Sequence, residues 1–122
     1  MGTVTADGVD SMAYLLADYF KYIATGIGTT AEATTDTALV SENTLYGSAR
    51  KFVGATFSTD GSGTTTWNTL FSFTGEVIVR EYGIFDLSAA GVMLYRRVLS
   101  ANRTYQDGDS MELTITHTFG RA

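Results

Sequence analysis

The sequence predicts a mainly β domain, a small antiparallel β-sandwich or barrel with one N-terminal α-helix. Three observations carry this expectation. Apolar residues alternate with period two from about residue 48 onward. Proline is absent while threonine is abundant, and 13 glycines supply turns between half-buried strands. The start of the chain instead repeats its apolar residues at spacings of three and four, as one side of a helix requires. With 122 residues and 44% hydrophobic content, the chain is the size of one domain with one ordinary core. Its expected organisation is a single domain over 1–122: an arm at 1–8, a helix at 9–20 and a β-rich body at 21–119.

The helix rests on Val9, Met12, Ala13, Leu16, Tyr19 and Phe20, with Asp7 or Asp10 as its cap. "KYIAT" is short, aromatic and β-branched and reads as the first strand. "GIGTTAEATTDTALVSEN" is then a long polar connection, with a helical turn expected around Asp36 to Val40 and Leu39 as its anchor. In "SARKFVGATFS" Ala49, Val53, Ala55 and Phe57 share one side, broken by Lys51, and "TDGSG" signals a hairpin turn. The return strand "TTTWNTLFSF" places Thr65, Trp67, Thr69, Phe71 and Phe73 on one face, with Thr66, Asn68 and Ser72 opposite. Three strands follow: "EVIVREYGIF", "VMLYRRVLS" and "SMELTITHTF", the last alternating Met111, Leu113, Ile115, His117 and Phe119 with Glu112 and threonines.

Composition narrows the chemistry. No cysteine is present, so neither a disulfide nor a thiolate metal site can be built. His117 is the sole histidine, on the apolar row of the last strand, and reads as a neutral imidazole hydrogen-bonded at the edge of the core. "GIGTTAE" fits neither the dinucleotide fingerprint nor the P-loop and reads as a flexible glycine turn. Glu32, Asp36, Glu42, Asp107 and Asp109 read as solvated loop acids, without the ligand spacing of an EF-hand. A net charge of -5 without a basic run argues against a nucleic-acid partner. No apolar run approaches the roughly 18 residues of a membrane helix, and a basic secretion start is lacking. No enzyme activity and no cofactor are expected.

The least ordinary stretch is "VIVREYGIFD", a strand that carries adjacent charges, Arg80 and Glu81. Alternation sets Val77, Val79 and Glu81 on one side and Ile78, Arg80 and Tyr82 on the other, so the two charges cannot pair with each other. A carboxylate among valines needs hydrogen bonds from a turn or from an arginine such as Arg50, Arg96 or Arg97. Gly83 then allows a bulge or a positive φ. Arg80, Glu81, Gly83, Arg96 and Arg97 thus form a candidate structural brace.

"KYIATGIGTTAEATTDTALVSE", "VREYGIFD", "MLYRRVLS" and "LTITHTF" together resemble small phage virion proteins found as capsid decoration (cement) proteins. The same order of motifs resembles the N-terminal domain of phage tail-collar fibre proteins. The resemblance spans roughly residues 9 to 119 and departs from the pattern at "SANR", where a proline is missing and Arg103 takes the place of a lysine. It implies a non-enzymatic structural protein on the virion capsid surface, assembled in the host cytoplasm. Its implied partners are the major capsid protein and further copies of itself in a homotrimer. Such a protein would add interface area between capsid subunits, with avidity multiplying each contact. The alternative is a tail, baseplate or collar-fibre adaptor; a chain of 122 residues with no fibre shaft is expected to be the free-standing form. From another class, a carbohydrate-binding sandwich would stack Trp67, Tyr95 or Tyr105 on sugar rings. Candidate partner contacts are Val4 and Thr5 in the arm, where an added edge strand would form, and Tyr105.

Overall fold

The computed structural model describes residues 2–119; Met1 and residues 120–122, the outer limits of the expected domain, lie outside the described residues. The order is α1 (Ala6–Tyr19), β1 (Tyr22–Gly26), β2 (Lys51–Phe52), β3 (Thr56–Phe57), β4 (Thr64–Ser72), β5 (Val77–Phe85), β6 (Met93–Tyr105) and β7 (Ser110–Thr118). Two antiparallel sheets, β2-β1-β5-β6 and β3-β4-β7, form a small sandwich rather than a closed barrel. Trp67, Phe71 and Phe73 from one sheet meet Ile23, Val79 and Ile84 from the other, with Met111 and Ile115 completing the core.

The helix begins earlier than its periodicity suggests. Thr5, not Asp7 or Asp10, is the N-cap, and its hydroxyl accepts from the Gly8 N–H at 3.0 Å. The expected arm therefore shortens, because Ala6, Asp7 and Gly8 belong to α1. Asp10 instead fastens the turn after β3, accepting from the Ser58 hydroxyl at 2.6 Å and from the Gly61 and Gly63 N–H groups. Only part of the expected apolar stripe faces inward. Val9, Ala13 and Ala17 are buried and Leu16 and Phe20 pack on the core, whereas Met12 and Tyr19 are exposed. The Thr65 hydroxyl donates to the Ala13 carbonyl, and the Trp67 indole N–H donates to the Phe20 carbonyl at 2.8 Å, so the helix docks on its own sheet.

Alternation in β4 is as read from the sequence: Thr65, Trp67, Thr69, Phe71 and Phe73 are buried. Opposite them, Thr64, Thr66 and Asn68 hydrogen-bond to Thr118, Thr116 and Thr114 across the pair with β7. The stretch before the hairpin is not one strand. It divides at Val53 into β2 and β3, which belong to different sheets, so Val53 is buried while Ala49 and Phe57 are exposed. No helical turn forms at 36–40; Leu39 is nonetheless buried, packed with Ala24 and Phe85 in a small cluster apart from the main core.

The β5–β6 ladder contains the main departure. Val79 pairs with Arg103 but Glu81 pairs with Val98, so the single residue Arg80 faces the whole of 99–102. This bulge shifts the alternation. Val77 and Val79 point into the main core before it, and Tyr82 and Ile84 do so after it. Glu81 therefore leaves the valine face and joins Gly83 and Phe85 on the far side of the sheet. The expected bulge at Gly83 is displaced: the irregularities fall between Val79 and Glu81 and between Ile84 and Phe85, and Gly83 is not among the residues of positive φ. Gly83 serves close approach, since a Cβ there would lie 3.1 Å from the Leu39 side chain.

Candidate functional site

The bulge turns Glu81 toward the long connection at 26–44, which covers that face of the sheet. Glu81 is fully buried, and its carboxylate accepts from the N–H groups of Gly28 at 2.7 Å, Ser41 at 2.9 Å and Val40 at 3.0 Å, and from Arg96 Nε at 2.9 Å. Arg96, itself buried, continues to Asp36 at 2.9 Å and to the Thr30 carbonyl at 2.8 Å. Two charged residues thus fix both limbs of a loop that has almost no regular structure of its own.

Burial pushes the Glu81 carboxyl up, but the Ser41 and Val40 N–H groups, Arg96 and the Gly28 N–H together outweigh it and hold the group below its ordinary value. The Asp36 carboxyl is lowered chiefly by the Ala33 N–H, with Arg96 adding to the effect against partial desolvation. For Arg96, burial acts downward and the Glu81 and Asp36 carboxylates act upward more strongly. All three are charged at neutral pH. No lone pair of Glu81 faces solvent, so this centre is suited to holding a loop and not to moving a proton.

The glycines of "GIG" are part of the clamp. A Cβ on Gly26 would lie 2.6 Å from Glu81 Oε2, and one on Gly28 would meet the same oxygen and the Val40 side chain. The expected flexible turn is thus a fitted receptor for a carboxylate, at positions where φ is not positive. Sequence reading missed it because its ligand lies 53 residues downstream of Gly28. Two of the expected solvated acids are also engaged: Asp36 with Arg96, and Glu42 with Arg50 at 2.8 Å.

The expected brace divides. Glu81, Gly83 and Arg96 come together, while Arg80 does not join them. Arg80 Nε donates to the Leu99 carbonyl at 2.6 Å and its NH1 to the Asn102 side chain, so it ties down the bulge opposite it. Arg97 lies against Tyr82 and Tyr95. Arg50, the other arginine considered for Glu81, instead sits 3.7 Å above the Phe85 ring and binds the carbonyls of Leu87 and Ala90.

Among candidate contact residues, Val4 is exposed, Thr5 spends its hydroxyl on the helix cap, and Tyr105 is half-buried with its ring 4.8 Å from Phe73. Trp67 is fully buried and offers no ring face to a sugar. Tyr95 is half-buried beside Tyr82. His117 is exposed, not at the core edge as its row suggested, and packs edge-on against Phe119. No group of three or more histidine, cysteine or acidic residues suited to a metal occurs among the described residues. No described helix is long and apolar enough to cross a membrane.

This combination, a small two-sheet sandwich in which the buried charges among the described residues, Glu81 and Arg96, serve its own architecture, defines a structural β module. The chain belongs to the family described as Podophage GP4 fiber I protein gp80, whose profile matches residues 19–118, the β-rich body with its whole Glu81 centre. Among curated proteins no match is found. The chain is accordingly a phage structural protein of fibre type.

Proposed function

We propose that the chain is a component of a podophage fibre, assembled from several copies, with a trimer as the expected number, and that it works through packing and not through a reaction. The match over 19–118 carries this reading and favours the fibre over the capsid-cement alternative. The fold supports it physically. Among the described residues every buried side-chain polar atom has a hydrogen-bond partner within the chain, while large apolar side chains such as Leu45, Leu87 and Val92 remain exposed for contact. The Glu81 centre would keep the long loop at 26–44 rigid, so that whatever docks against it meets a preformed surface.

Gold-labelled antibody against the chain, applied to intact virions, tests the reading. Label along the fibres supports it. Label spread over the capsid lattice would replace it with the decoration reading, in which the major capsid protein is the partner.

A further inference from the structure

The two sheets leave an open seam between β6 and β7. These are the outermost strands of their sheets, joined by a turn, and among the described residues neither has a strand on its other side. The opposite edges differ, since β2 and β3 are two residues each and the chain passes from one to the other within three residues, 53–55. Along the seam the core-side row of both strands is incompletely covered: Leu113 and Tyr95 are half-buried, while Arg97 and His117 are exposed. Two hollows lie there in succession. One, of about 130 Å³, is largely apolar and reaches Trp67 and Ile84 between Leu94 and Ile115. The next, of about 300 Å³, is walled by Tyr82, Leu99 and Leu113 and bordered on its β6 side by Arg97 and Arg103. Both arginines stand on the seam side of β6, because they lie opposite Tyr82 and Val79, which face the core. The ion pairs among the described residues engage Lys21, Arg50 and Arg96, so in a chain of net charge -5 these two cations keep no acid partner there.

We propose that this seam receives an extended segment of a partner protein, which adds as a strand to β7 and brings one apolar side chain followed by acidic ones. β7 is the edge open to pairing. It runs in unbroken register with β4 from Ser110 to Thr118 and contains no proline, lysine or bulge. β6 is guarded, because its bulge at 99–102 and its inward arginines are devices that keep an edge from pairing. Across the seam the same arginines become side-chain contacts for whatever pairs with β7. An added strand turns alternate side chains inward, as Met111, Leu113, Ile115 and His117 do on β7. Positions beside Ile115 fall over the apolar hollow, and positions beside Leu113 and Met111 fall over the one bordered by Arg97 and Arg103. Charge therefore selects the occupant: antiparallel addition calls for an apolar residue at i and carboxylates at i+2 and i+4. Glu112 also borders the larger hollow but does not oppose them, because it stands opposite the exposed Leu70 on the outer face.

The test titrates the full chain into a fluorescein-labelled peptide, Thr-Leu-Thr-Glu-Thr-Glu-Thr, at low salt and reads fluorescence anisotropy. The peptide should bind, and one with lysine in place of both glutamates should bind at least about tenfold more weakly. Arg97→Glu/Arg103→Glu, its fold verified by circular dichroism, should reverse that order and prefer the lysine peptide, a rescue that loss of fold could not produce. Arg103→Glu alone, at an exposed position, supplies the same comparison should the double variant fail to fold. Amide exchange supplies the place: on saturation with unlabelled peptide the β7 amides that face away from β4 should slow, while the paired amides of β5 stay unchanged. Equal binding of the acidic and lysine peptides, protection that arises away from β7, or no binding at about millimolar peptide overturns the proposal. Protection of the β7 edge that needs no peptide and grows with protein concentration gives the seam to a second copy and overturns the acidic partner.

Discussion

Glu81 and Arg96 meet diagonally across the β5–β6 hairpin. The residue opposite Glu81 is Val98 and the one opposite Arg96 is Gly83, yet Arg96 Nε and Glu81 Oε1 lie 2.9 Å apart. With no side chain at Gly83, Leu39 closes over the hairpin beside the ion pair. The pair and the loop it secures therefore form one unit, and removing any part leaves buried charge or buried donors without partners.

Glu81→Ala is the direct case. It strands the Gly28, Val40 and Ser41 N–H groups together with the Arg96 guanidinium. Loss of one partner from a buried ion pair costs about 3–5 kcal/mol. Urea unfolding at pH 7 should show a destabilisation of that size, and an unchanged midpoint would contradict the clamp.

Glycine substitutions probe the same site from the loop. Gly26→Ala and Gly28→Ala each force a methyl group against Glu81 Oε2 and should cost about 2 kcal/mol or more. Gly54→Ala meets nothing within 4 Å and should stay within about 0.5 kcal/mol of wild type. Equal melting temperatures for the three variants would mean that the loop yields freely.

These glycines also mark how far the sequence was legible. The period-two strands, the hairpin at 59–63 and the need of Glu81 for a turn or an arginine among Arg50, Arg96 and Arg97 follow from local pattern and from the cost of burying a charge; which of these it takes does not. The bulge opposite Arg80 does not, because its three surplus residues lie on β6 (99–102 against Arg80 alone) and become visible only once the register is known. The helix face was misjudged for a related reason. Periodicity shows that Met12 and Tyr19 are apolar, not which of two apolar stripes the sheet will cover. The carboxylate receptor was illegible because Gly28 and Glu81 are joined by tertiary structure alone.

Acid should loosen the molecule through Glu81. Its folded value lies below the ordinary 4.5, so its stabilisation is fully present above pH 4.5 and is lost as pH falls through the folded value. Asp36, lowered from 3.8, acts in the same direction. Urea midpoints should be level between pH 7 and about pH 5 and decline below 4.5, with a shallower decline in Glu81→Gln. A variant whose decline matches that of wild type would assign the acid lability to other carboxylates.

At the N-terminus, truncation should have a sharp boundary. Removing residues 2–4 touches no helical position, whereas extending the cut to residue 8 takes the Thr5 cap and the first turn of α1. Thr5→Ala alone should cost about 1 kcal/mol. Thermal melts of the two truncations should separate them clearly; coincident melts would show that the cap contributes nothing.

Amide hydrogen exchange read by NMR tests the role of the Glu81 centre most directly, because it follows the individual donors. In wild type the Gly28, Val40 and Ser41 amides should exchange slowly although they lie in a long connection outside the strands. In Glu81→Ala these amides should lose protection by a factor of 100 or more relative to the paired amides of β4 and β7, which serve as the internal reference. Fast exchange at all three positions in wild type, or protection that survives the substitution, would contradict the claim that this buried carboxylate holds the loop.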